Sequence, residues 1–92
     1  MGHEIAYDFI NQELTLLRRQ PYVDLVAKIG KAEHKEFVAH DGNRYQLETE
    51  VFWDSRRGGD IRVTACADGG GVSAFVPLCE AFVMDPDGTI VG

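Results

Sequence analysis

The side chains able to carry chemistry in this chain are two cysteines, Cys66 and Cys79, three histidines, His3, His34 and His40, and carboxylates grouped as Glu48/Glu50 and Asp85/Asp87. Zinc would need close ligand spacing such as H-E-x-x-H or C-x-x-C, and neither occurs. His34 and His40 flank a short extended segment, so they stand on the order of 20 Å apart and are expected as surface groups that share no metal. Asp85-Pro86-Asp87-Gly88 has part of a calcium-loop pattern, but Val83 occupies the first ligand place, and the four residues suit a type I turn. Asp68-Gly69-Gly70-Gly71 would have to be followed by Lys-Ser/Thr to cradle phosphate; Val72-Ser73 follows, which suits a tight hairpin. Arg56 and Arg57 could hold an anion at a loop tip, though two arginines in so acidic a chain are expected as solvated charge. No metal and no cofactor is expected, and no catalytic residue is identified.

The elements that must position these groups follow from periodicity. Ile5/Phe9 and Ala6/Ile10/Leu14, then Leu17, form one apolar stripe at helical spacing, predicting a helix over 4–19. Glu4, Asp8 and Glu13 come early and Arg18 and Arg19 late, an order that complements the helix dipole. Pro21 can open a second helix, and Tyr22, Leu25, Val26 and Ile29 extend it to 29, with Gly30 as its C′ residue. From there the period is two. Tyr45, Leu47, Thr49, Val51 and Trp53 alternate with polar residues, as do Ile61, Val63, Ala65 and Ala67, and again Val72, Ala74, Val76 and Leu78.

Residues opposite one another in an antiparallel pair share a face. Pairing Trp53 with Ile61 matches Val51 to Val63 and leaves 54–60, rich in turn residues, as the loop. Pairing Ala65 with Ala74 matches Val63 to Val76 and Ile61 to Leu78. A first strand at about 36–39 is expected to pair Phe37 with Leu47 and Ala39 with Tyr45, the loop being 41–43 around Asp41-Gly42. Phe82–Gly92 is expected to form a small terminal hairpin or an extra strand. The fold class is therefore α+β, one domain over residues 1–92: an N-terminal helix and a short second helix packed on one face of a three- to four-stranded antiparallel meander. In this register Cys66 faces Ser73 and Cys79 faces Asp60, about 20 Å apart, too far for a bridge that needs Cα atoms within about 7 Å. Both are expected as free thiols acting as small apolar fillers. Glu50 faces Thr64 diagonal to Arg62, an ion-pair arrangement rather than acid–base machinery.

The face turned from the helices carries an anomaly. Phe52, Arg62, Thr64, Phe75 and Pro77 are expected to adjoin there, an aromatic patch rimmed by polar groups such as interfaces use. Either this patch meets a protein partner or a second copy, or Phe82, Met84 and Ile90 of the C-terminal segment fold over it. The alternative site is a small-molecule or catalytic pocket between helices and sheet near Tyr22, Tyr45 and Trp53, although short chains seldom enclose the roughly 300 Å³ such pockets need.

Composition narrows the classes. Of the 92 residues 45% are hydrophobic and 26% charged, with a formal net charge of −6. That is globular composition with a charge that repels nucleic acid and anionic membrane surfaces and suits a basic partner. No apolar run approaches the roughly 20 residues of a membrane span. The N-terminus lacks the pattern of a signal peptide, and Ala6 stands where myristoylation needs Ser or Thr. Cytoplasmic residence is expected.

The run Val51-Phe52-Trp53-Asp54, Gly58-Gly59-Asp60-Ile61-Arg62-Val63, Asp68-Gly69-Gly70, Phe75-Val76-Pro77-Leu78, Phe82-Val83-Met84, Pro86-Asp87-Gly88 and Val91-Gly92 resembles a group of small bacterial proteins without an assigned function. The likeness spans residues 45–92. It implies a bacterial origin and a shared sheet design, and it transfers no site residues. The function expected is a small acidic, non-enzymatic protein-interaction module.

Overall fold

A computed structural model describes residues 3–40, 42–69 and 78–92. The apolar stripe of the N-terminal segment forms helix α1, His3–Arg18, with Glu4 in its first turn and Arg18 in its last. Ala6, Ile10, Leu14 and Leu17 are buried against the sheet, and Arg18 lies over the Phe82 ring with its guanidinium carbon 5.2 Å from the centroid. Glu13 is the buried charge on this helix. Its two carboxylate oxygens accept hydrogen bonds from Lys35 Nζ at 2.9 and 3.1 Å, which tie α1 to the first strand.

Pro21 caps helix α2, Tyr22–Val26, which is shorter than the expected 21–29. Beyond Val26 the chain tightens into i→i+3 bonds, Lys28 N–H to Leu25 O and Ile29 N–H to Val26 O. Ile29 then bridges Val51 of the sheet in parallel. Pairing with the sheet replaces the last helical turn, and Gly30 at φ +82° turns the chain away.

Four strands, β1 Glu33–Val38, β2 Arg44–Trp53, β3 Ile61–Gly69 and β4 Leu78–Met84, form one antiparallel sheet in sequence order. The α+β meander expected from periodicity is therefore the fold. β2 and β3 pair in the expected register, Val51 opposite Val63 and Trp53 opposite Ile61. The intervening loop closes through Asp54 N–H to Asp60 O at 2.8 Å. α1 lies mainly over β3 and β4, and α2 over β2.

Two expected registers are corrected. Phe37 faces Tyr45, not Leu47, a slide of two residues that leaves every side chain on its expected face. The cause is Gly42. The hairpin closes with Ala39 N–H to Asn43 O and Gly42 N–H to Ala39 O, and Gly42 takes φ +87° at the end of a three-residue loop. That position is left-handed, which glycine adopts more readily than Asn43 would.

The second correction is larger. The partners of Ile61–Ala67 are Met84 back to Leu78, not residues 78 back to 72. Val63 faces Phe82 and Ile61 faces Met84, so two large side chains fill the core where Val76 and Leu78 were expected. Apart from Leu78, the expected strand 72–78 lies outside the described residues. The slip is six residues, an even number, so the inner and outer faces are preserved.

The C-terminal residues turn at Asp85-Pro86-Asp87-Gly88 as expected. Gly88 N–H donates to Asp85 O, and Asp85 Oδ1 accepts from the backbone of Asp87 and Thr89 at 3.0 Å each. Ile90 bridges Met84, and Val91 and Gly92 together oppose Val83, the two-against-one pattern of a bulge. This small terminal hairpin covers the edge of β4. The expected alternative, Phe82 and Met84 lying across the outer sheet face, is overturned because both are buried in the core beneath α1. Among the described residues no helix is long and apolar enough to cross a membrane.

Candidate functional site on the outer sheet face

The outer face is built from alternate residues of all four strands, and strand pairing arranges them in ranks. The central rank is His34, Glu48, Cys66 and Cys79, one residue from each strand in order. On one side lies Glu36, Gln46 and Asp68; on the other lie Glu50, Thr64 and Ala81, and then Phe52, Arg62 and Val83.

Cys66 and Cys79 are joined by a disulfide, their Cα atoms 4.0 Å apart. The expected free thiols about 20 Å apart are thereby corrected, since the six-residue slip of β4 sets the two cysteines directly opposite. The pair occupies a position without a mutual backbone hydrogen bond. Val83 turns its N–H and C=O toward the terminal hairpin, and alternation along the strand turns those of Cys79 the same way. Such pairs hold their side chains closest, as a cross-strand bridge requires. The outward parity of both cysteines is visible in the sequence, whereas their place in one rank depends on the β4 register.

Of the five expected partner-binding residues, three adjoin. Phe52 is exposed and directly opposite Arg62, and Thr64 is the next outward residue of β3. Arg62 pairs with Asp54, Nη2 to Oδ1 at 2.8 Å and Nε at 3.0 Å. Thr64 Oγ1 donates to Glu50 O at 3.4 Å. Phe75 and Pro77 lie outside the described residues. The diagonal Glu50–Arg62 ion pair is corrected, because Arg62 turns to Asp54 instead.

Acidic groups dominate the centre of this face. Glu36 meets Arg44 at 3.3 Å, and Glu48 meets His34 Nε2 at 3.6 Å, an ion pair only when the imidazole is protonated. Glu50 and Asp68 have no ion-pair partner among the described residues. A shallow depression of about 230 Å³ lies here, lined by His34, Gln46, Glu48, Cys66 and Asp68.

Tyr22, Tyr45 and Trp53 do not converge. Tyr45 and Trp53 sit at opposite ends of β2, about 26 Å apart at strand rise. Tyr45 is buried beside Phe9, its ring 5.4 Å from that ring, whereas the Tyr22 hydroxyl donates to Gly59 O at 2.7 Å at the other end of the core. The cavity between Leu17, Lys28, Thr49 and Val63 holds about 10 Å³, space for one water at most. Among the described residues no three of His, Cys, Asp and Glu converge as metal ligands. His34 lies within β1 and His40 in the turn after it. Compared with known protein families, with curated proteins and with solved structures, the chain matches none.

Proposed function

We propose that this chain is a non-enzymatic interaction module of the bacterial cytoplasm whose outer sheet face docks on a protein partner rich in basic side chains. The observation that carries the reading is the asymmetry of the sheet. Both helices lie on the inner face, while among the described residues the outer face of β2 carries no covering helix or strand, and burial on that side of the sheet is confined to Val83 at the β4 edge beside Gly92. That face joins an exposed aromatic, Phe52, to the carboxylates Glu48, Glu50 and Asp68. An exposed aromatic can serve as an anchor, and the carboxylates supply the sign that selects a basic partner. A second copy is the weaker occupant. A twofold dimer through this face would set acidic patches against each other, and like charges juxtaposed oppose association. The same sign disfavours nucleic acid and anionic membranes.

The test is capture of a partner by the purified chain, with three variants and a salt series. Phe52→Glu and Glu48→Lys/Glu50→Lys should each abolish capture, and binding should weaken as salt rises. Glu4→Lys/Asp8→Lys on α1 should bind as the parent does. Capture untouched by the outer-face variants, or light scattering that shows a dimer dissolved by Phe52→Glu, would refute a basic heterologous partner.

A further inference from the structure

The Cys66–Cys79 bridge has a setting that a purely structural crosslink does not need. It joins two strands already paired from Ile61–Met84 to Ala67–Leu78, and it lies next to the last of those pairs. It is also accessible: Cys79 is exposed and Cys66 half-buried. In reducing compartments, disulfides that form are mostly transient, catalytic or sensing ones.

The charges around it are one-sided. Glu48 is directly opposite Cys66 on β2, and Asp68 is the next outward residue on β3. Glu50 stands one rank away beside Thr64. The two outward arginines are engaged at a distance from the bridge, Arg44 with Glu36 and Arg62 with Asp54. His34, beyond Glu48, contributes positive charge only when protonated. An approaching anionic thiol therefore meets a field of its own sign, and a cationic thiol meets an attractive one.

We propose that the Cys66–Cys79 bridge is a thiol–disulfide exchange site, opened at Cys79 by thiols that carry a positive charge in preference to those that carry a negative one. The thiolate attacks Cys79 Sγ, the sulfur of the more exposed residue. A new sulfur–sulfur bond forms there, the Cys66–Cys79 bond breaks, and its electron pair leaves on Cys66 Sγ, which takes a proton from water. A second thiolate attacks the small-molecule sulfur of the mixed disulfide and displaces Cys79 as a thiolate, which is protonated in turn. Two thiols are oxidised to one disulfide and the bridge is reduced to two thiols. The exchange proposal rests on the proposed cytoplasmic residence but not on the docking partner. The two meet only in that a cysteine within a basic segment would be the protein form of the favoured thiol.

The experiment uses the folded chain with cysteamine, 2-mercaptoethanol and 3-mercaptopropionate at equal thiolate concentration. Each rate is divided by that on a neutral model disulfide, which removes differences in intrinsic nucleophilicity. Acid-quenched samples are read by mass spectrometry. The expected order is cationic, neutral, anionic, with about three- to tenfold between the extremes, as a few carboxylates at short range in water produce. The spread should collapse in about 1 M salt, where the screening length is roughly 3 Å, and in Glu48→Gln/Glu50→Gln/Asp68→Asn. In Cys66→Ser, cystamine should label Cys79 of the folded chain. Three results would overturn the proposal: equal normalised rates, first adducts on Cys66, or a rate independent of thiol concentration, which marks unfolding as the gate.

Discussion

Strand β2 presents two surfaces that differ in kind although they come from the same ten residues. Inward, Tyr45, Leu47, Thr49 and Val51 are buried under the helices; outward, Gln46 and Phe52 are exposed and Glu48 and Glu50 are half-buried. On the inner face neighbours are chosen by volume, since large side chains such as Phe82 and Met84 must fill space without voids. On the outer face neighbours are set by whatever the backbone ladder brings opposite. The register that sets Phe82 against Val63 on the inner face sets Cys66 against Cys79 on the outer one. Chemistry on one side of the sheet is thus a consequence of packing on the other.

That contrast can be tested by unequal damage. Phe82→Ala empties the centre of the inner face and should cost about 3–5 kcal/mol, measured as a lower urea midpoint. A loss under about 1 kcal/mol would mean that Phe82 does not select the β4 register. Replacing both cysteines by alanine should cost about 3 kcal/mol through the freed unfolded chain, with the far-ultraviolet spectrum unchanged. If the spectrum collapses instead, the bridge holds the register. Phe52→Glu, the outward counterpart on the same strand, should change stability by no more than about 0.5 kcal/mol. A larger loss would show that Phe52 is already packed within the monomer and is not available to a partner.

The parts legible in the sequence share a physical property. The β2–β3 hairpin is legible because residues 54–60 are rich in turn residues and leave one pairing that matches Val51 to Val63 and Trp53 to Ile61. The β1–β2 pairing is legible only to within two residues, because alternation does not distinguish Leu47 from Tyr45 as the partner of Phe37. The left-handed turn at Gly42 makes that choice. β4 is misplaced for the same reason on a larger scale. Val72, Ala74, Val76 and Leu78 have the same parity as Phe82 and Met84, so both runs satisfy the pattern. In the candidate site, the adjacency of Phe52, Arg62 and Thr64 follows from the β2–β3 register and is legible. The disulfide depends on the β4 register and is not.

What this sequence determines by itself is sidedness: in β2 and β3 the period of two assigns residues alternately to the core and the outside, and every even slip respects that assignment. Which residues become neighbours across the β1–β2 and β3–β4 pairings was decided only in three dimensions. Slips of two or six residues keep the apolar side apolar, so they are separated by turn geometry at Gly42 and by the fit of Phe82 and Met84 beneath α1. Pattern carries the sign of burial, whereas only the packed core carries the volumes that set position along the strand.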